Sequence, residues 1–151
     1  MIYLSERSIA MADDYIQQLN ESEKITFVRA LIFLIKSDGR IDDRERECIH
    51  EIVNIYDIKN KVAAINAPAG EDVLLSEIAN TIKDRHKALA LIRELLTMAH
   101  VDDELGDAEA TFIERVAAKL NIEPEKVLQI NELVLERKAW LVKSAVVMES
   151  A

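Results

Sequence analysis

The chain has 151 residues, half of them hydrophobic, with only three glycines, two prolines and a formal net charge of −9. This composition favours ordered helix over disorder and fits one helical domain spanning 1–151. The acidic surplus argues against nucleic acid, whose phosphates demand clustered Lys and Arg, and suits cationic partners or plain solubility.

Taken in order, Met1–Arg7 lacks the basic segment and apolar core of a signal peptide, and no apolar run reaches the ~20 residues of a membrane helix. The expectation is therefore a cytoplasmic protein without membrane insertion. Ser5 caps a first helix to about Leu19, with Ile9, Ala12, Ile16 and Leu19 on one side. Asn20 or Ser22 opens a second helix, whose stripe of Phe27, Val28, Leu31, Leu34 and Ile35 runs to Ser37. Gly39 lies just past its end, where a left-handed residue satisfies the last carbonyls. Asp42 caps a third helix, Asp43–Tyr56, and Glu45 reaches back to complete a capping box. That helix buries Cys48, Ile49, Ile52, Val53 and Tyr56. Cys48 is the only cysteine, so no intramolecular disulfide forms and a reducing compartment fits; it reads as a small core filler.

A short helix near Asn60–Asn66 leads into Ala67-Pro68-Ala69-Gly70, the clearest break in the chain. Asp72–Lys83 follows, with Val73, Leu74, Ile78 and Ile82 at helical spacing. Asp84 starts a helix carrying Leu89, Ile92, Leu95, Leu96 and Ala99, and the next runs from Asp107 to Leu120. Pro124 takes the first position of the last helix, which carries Val127, Ile130, Leu133 and Val134 on through Trp140 to Met148. No period-two run rich in β-branched residues occurs, so no strand is expected.

The segment Asp38-Gly39-Arg40-Ile41-Asp42-Asp43-Arg44-Glu45 returns 64 positions later as Asp102-Asp103-Glu104-Leu105-Gly106-Asp107-Ala108-Glu109. Across 38–58 and 102–122, five of 21 positions are identical: Asp38/Asp102, Asp43/Asp107, Glu45/Glu109, Ile49/Ile113 and Ile58/Ile122. The apolar register agrees upstream, at Phe27/Leu91, Leu31/Leu95, Leu34/Met98 and Ile35/Ala99. In the second copy Asp103 takes the glycine place and Gly106 the cap. The fold expected is all-α, a single domain of about seven to nine helices built from two pseudo-repeated hairpins, near 22–66 and 86–130.

The pattern Ser37-Asp38-Gly39-Arg40-Ile41-x-x-x-Glu45, with its degenerate copy and the following Leu120-Asn121-Ile122, resembles the TerB-like (tellurite-resistance protein B) superfamily. It covers roughly 22–136. The resemblance implies an all-helical cytosolic domain with an internal duplication, linked to metal stress and to acidic surface sites. A similar domain precedes the J-domain in some membrane-anchored co-chaperones.

The chemistry is less defined. The first turn matches the second half of an EF-hand loop, but Leu34 and Lys36 (Met98 and His100 in the second copy) fall where calcium needs side-chain oxygens. Asp38, Asp42, Asp43 and Glu45, and in the second copy Asp102, Asp103, Asp107 and Glu109, are the candidate metal ligands. They would hold Ca²⁺ or Mg²⁺ no more tightly than roughly 10⁻⁴–10⁻³ M; otherwise they cap helices and remain solvated. Glu47-x-x-His50 matches half of a di-iron carboxylate motif, but the second step is missing. No nucleophile elbow, cysteine–histidine pairing or phosphate loop occurs, so no enzyme is expected. The alternative is a metal-dependent enzyme using carboxylate-held ions. The apolar segment Glu136–Met148 carries the only Trp; it is read as a helix closing the domain, with a protein partner or homodimer contact as the alternative.

Overall fold

The computed structural model describes residues 15–38, 43–101 and 105–150. Among them are seven α-helices and no strand. The helices are α1 (Glu21–Ile35), α2 (Asp43–Tyr56), the one-turn α3 (Val62–Ile65), α4 (Glu71–Thr81), α5 (Arg85–Ala99), α6 (Asp107–Lys119) and α7 (Pro124–Glu149). Most of the helix expected from Ser5 lies outside the described residues, as do Gly39, Ile41 and the Asp42 cap. The end of that first segment is a 3₁₀ turn, Ile16–Gln18, followed by an extended Leu19.

The helix starts follow local chemistry. Asn20 caps α1 with a full capping box: its side chain accepts from the Glu23 N–H at 2.8 Å, and the Glu23 carboxylate accepts from the Asn20 N–H at 2.8 Å. Asp84 caps α5 by accepting from the Lys87 N–H at 3.0 Å. Gly70 caps α4 through its backbone, so that helix begins one residue earlier than expected and ends at Thr81, before an extended Ile82. The short helix after α2 splits into a 3₁₀ turn, Lys59–Lys61, and α3.

The duplication holds at the level of backbone geometry. Helices α1 and α5 start and stop 64 residues apart, and α2 and α6 start at the same interval. Both second helices end in a left-handed residue, Asp57 at φ 55° and Asn121 at φ 56°. In each the next residue donates to the carbonyl five positions back, Ile58 to Val53 at 3.3 Å and Ile122 to Ala117 at 2.9 Å. These are two Schellman caps, closed by the burial of Ile58 and Ile122. Because Asp and Asn tolerate this conformation and β-branched residues do not, Asn121→Val should lower stability by about 1–2 kcal/mol. Urea denaturation reads the change; a midpoint equal to wild type would discard the assignment.

One core joins the two halves. Helices α1 and α5 pack on each other, α4 lies against α1 and α6, and the first half of α7 crosses α5. Phe27, Val28, Leu31, Ile52, Tyr56, Ile78, Leu91, Ile92, Leu95 and Val116 are fully buried. The Tyr15 and Tyr56 hydroxyls lie 2.9 Å apart, which satisfies both polar tips inside the core. Where the two halves meet, the residues Glu23 and Lys87, equivalent in the repeat, are paired, with Lys87 Nζ 3.0 and 3.1 Å from the two carboxylate oxygens. At the rim, Arg85 Nη2 lies 2.7 Å from Glu123 Oε2 and ties the start of α5 to the corner before α7. That hydrogen bond holds the Glu123 carboxyl below its ordinary value.

Two positions read as core face outward. Val73 is exposed on α4, and Leu133 is exposed on α7 because Ile130 and Val134 take the inward direction.

Candidate functional site

The acidic turns are only partly within the described residues. Asp42, Asp102 and Asp103 lie outside them, and so do the side chains of Asp38 and Glu45. Of the other candidates, Asp43 and Asp107 are exposed in the first turns of α2 and α6, where negative charge suits the helix N-terminus. Glu109 Oε1 accepts from the Gly106 N–H at 3.0 Å. It thus supplies the reciprocal half of a capping box whose other half glycine cannot make. Among the described residues no group of three or more His, Cys, Asp or Glu has metal-holding geometry. Glu47 and His50 are both exposed on α2.

Several polar groups lie in or against the core. Arg29, in the stripe of α1, is 8% exposed. Its guanidinium reaches Glu77 on α4 at 3.0 and 3.3 Å and donates to the carbonyls of Ala64 and Ala67 at 2.9 Å each. One side chain therefore fastens the α3–α4 connection to α1. On α5, Glu94 is fully buried, and Arg93 lies over the Tyr15 ring at 5.4 Å. His100, at the end of α5, is buried with Nε2 2.8 Å from Asn131 Oδ1 of α7. Cys48 fills the core as expected, its Sγ 3.6 Å from Met98 Sδ.

A hollow of about 290 Å³ opens beside α7, lined by Tyr15, His86, Lys87, Arg93, Ile130 and Leu133. It is small and shallow beside an ordinary ligand site. Two of its charged residues already serve the fold, since Lys87 pairs with Glu23 and Arg93 lies over the Tyr15 ring.

The most prominent surface is α7 itself. It is a single helix of 26 residues, about 39 Å long. Ile130 and Val134 are its buried residues; past Val134 the inward positions Arg137, Lys138, Leu141 and Ser144 are only half-buried. The reading of Glu136–Met148 as a closing helix therefore holds for one edge alone. Leu128, Leu135, Val142 and Val146, with Ala139, form a second apolar stripe turned away from the domain, 42–65% exposed at the four larger residues. A helix serving only its own domain has one apolar face. This one has two. Trp140, 62% exposed, stands on a flank between them.

Comparison with known proteins adds a family and little else. No curated protein and no solved structure matches the chain. A family model described as a protein of unknown function, DUF533, matches residues 6–134 and so stops at Val134, the last buried residue among those described. The match spans the duplicated helices and the first half of α7, and the chain belongs to the DUF533 family.

Proposed function

We propose that the chain is a non-catalytic, cytoplasmic helical module that acts by binding protein through the outer face of α7. The observation that carries this reading is the second apolar stripe. Leu128, Leu135, Val142 and Val146 are exposed together on one line of a helix already anchored by Ile130 and Val134. Exposed apolar surface in a contiguous line is costly in water and marks a contact surface. The stripe extends beyond the segment matched by the family model, so the duplicated fold supplies the platform and the extension supplies the contact.

The setting we propose is the response to tellurite or a related metal stress, on the likeness of the Ser37–Glu45 motif and its copy to TerB-like domains. Cells lacking the gene should regain tolerance to tellurite with the wild-type chain and not with the Leu135→Lys/Val142→Lys variant. A photoreactive residue at Val142 should capture a protein in the same cells. Full complementation by the double variant would sink the docking reading.

Weak cation binding at the first acidic turn completes the proposal, with Asp38 and Glu45 as oxygen ligands helped by Asp42 or Asp43. Glu45→Gln separates this from capping, because Gln also completes a capping box but lacks the charge a hard cation needs. Amide shifts over 38–45 on titration with Ca²⁺ or Mg²⁺ should saturate in wild type and vanish in the variant. Equal responses in the two proteins would leave the turn a cap.

A further inference from the structure

The charge pattern flanking the α7 stripe names its occupant, and the inference deepens the docking reading above. We infer that a second copy of this chain covers the stripe, with the two α7 helices antiparallel. The stripe has three–four spacing: Leu128, Leu135 and Val142 at one core position of a heptad, Glu132, Ala139 and Val146 at the other. The domain body lies on the opposite side of the helix, against Ile130 and Val134, so two helices can meet without their domains colliding.

Of the antiparallel registers that put these positions opposite one another, two bring four apolar layers together, and the charges distinguish them. In the first, Leu135 faces Val146 of the second copy and Ala139 faces Val142, each contact made twice about the dyad. The four central layers are then apolar, Glu132 meets Glu149 of the second copy in one further layer at each exposed end of the seam, and Leu128 lies beyond it. Glu136, exposed beside the seam, falls next to Lys143 of the second copy, and Lys143 next to Glu136. Lys138 falls beside Ala145. Sliding by one heptad sets Glu132 against Val142 and brings the two Glu136 side chains together. The first register makes two complementary pairs and keeps its like-charge contact, Glu132 with Glu149, to the exposed ends; the second sets like charges together beside the dyad, Glu136 on Glu136 and Lys138 on Lys138, and buries Glu132 between apolar layers. Like charges at close range oppose association. The sequence of α7 therefore favours one register, in which each contact is made twice, as the isologous rule for a twofold dimer requires.

The seam is short, about two heptads, so its area falls at the low end for specific interfaces and the dimer is weak, with Kd roughly 10⁻⁶–10⁻⁴ M. This agrees with a helix whose inner face, not its pairing, holds it in place.

The test is sedimentation equilibrium of the full chain across that concentration range, with circular dichroism to confirm unchanged helix content. Wild type should pass from monomer to dimer, and Leu135→Lys, at an exposed position, should remain monomeric. Glu136→Lys alone sets Lys against Lys143 twice, and Lys143→Glu alone sets Glu against Glu136 twice. Each should weaken self-association about tenfold. An equimolar mixture of the two single variants restores both complementary pairs and should associate as wild type does, as should the E136K/K143E double variant. A chain monomeric throughout, as when residues 1–14 or another protein covers the stripe, overturns the inference. So does a mixture no better than its components. A captured protein other than this chain at Val142, with a monomer in solution, would preserve the docking function and remove only the second copy as its occupant.

Discussion

Replacing Arg29 by alanine should lower the stability of the domain by about 2–4 kcal/mol, a fall of roughly 5–15 °C in Tm for a chain of this size. The guanidinium is nearly buried and makes four polar contacts at 2.9–3.3 Å, two with the Glu77 carboxylate and two with the Ala64 and Ala67 carbonyls. Truncation strands those acceptors on two different elements. Glu77 is 40% exposed, so its carboxylate recovers water and the loss stays below that of a wholly buried pair. The carbonyls matter as much as the charge, since they belong to the only stretch near Pro68 that joins the two halves. Arg29→Lys should recover only part of the loss, because an ammonium cannot span the carboxylate and both carbonyls as the planar fork does. Urea unfolding at unchanged m is the measurement. A change in stability below about 0.5 kcal/mol, the ordinary range of surface substitutions, would mean that the connection is held by other contacts.

The role of Arg29 was hidden in the sequence for a physical reason. A basic residue between Val28 and Ala30 reads as the edge of an apolar stripe, and only the fold shows that the α3–α4 connection passes over it. The same holds for Glu94 and His100, whose burial depends on neighbours distant in sequence. Elements set by local rules were legible. The capping residues Asn20 and Asp84, the break at Ala67–Gly70, Pro124 at the start of α7 and the limits of α2 all follow from short-range chemistry. The duplication was legible because its apolar register repeats, although the paired left-handed caps at Asp57 and Asn121 were missed, as neither is glycine. In the second acidic turn the visible local chemistry is a cap, Glu109 accepting from the Gly106 N–H at its own helix start. The outer stripe of α7 was legible as excess apolar surface but not as a second face, since the direction of burial is known only once Ile130 and Val134 are seen packed on the domain.

Leu31→Ala and Leu95→Ala should each cost about 2–5 kcal/mol, the largest effects expected of single substitutions here. The two residues are equivalent in the duplicated register and both are fully buried. Each substitution removes a well-packed branched side chain and leaves a cavity that rigid helices on all sides fill poorly. Equivalence of site alone does not decide how the loss is expressed. If each half were its own folding unit, a cavity in α1 would destabilise the first half and leave the second to unfold where wild type does. The packing argues otherwise. Helices α1 and α5 face each other, Glu23 of one half is paired with Lys87 of the other, and α4 sits between α1 and α6. Neither half buries its apolar faces without the other. Both variants should therefore move one cooperative transition to lower denaturant, with fluorescence of Trp140 and far-ultraviolet circular dichroism giving coincident curves. Two separable transitions, only one of them shifted by a given variant, would show that the repeats fold as independent units and would remove the single shared core from the account of this fold.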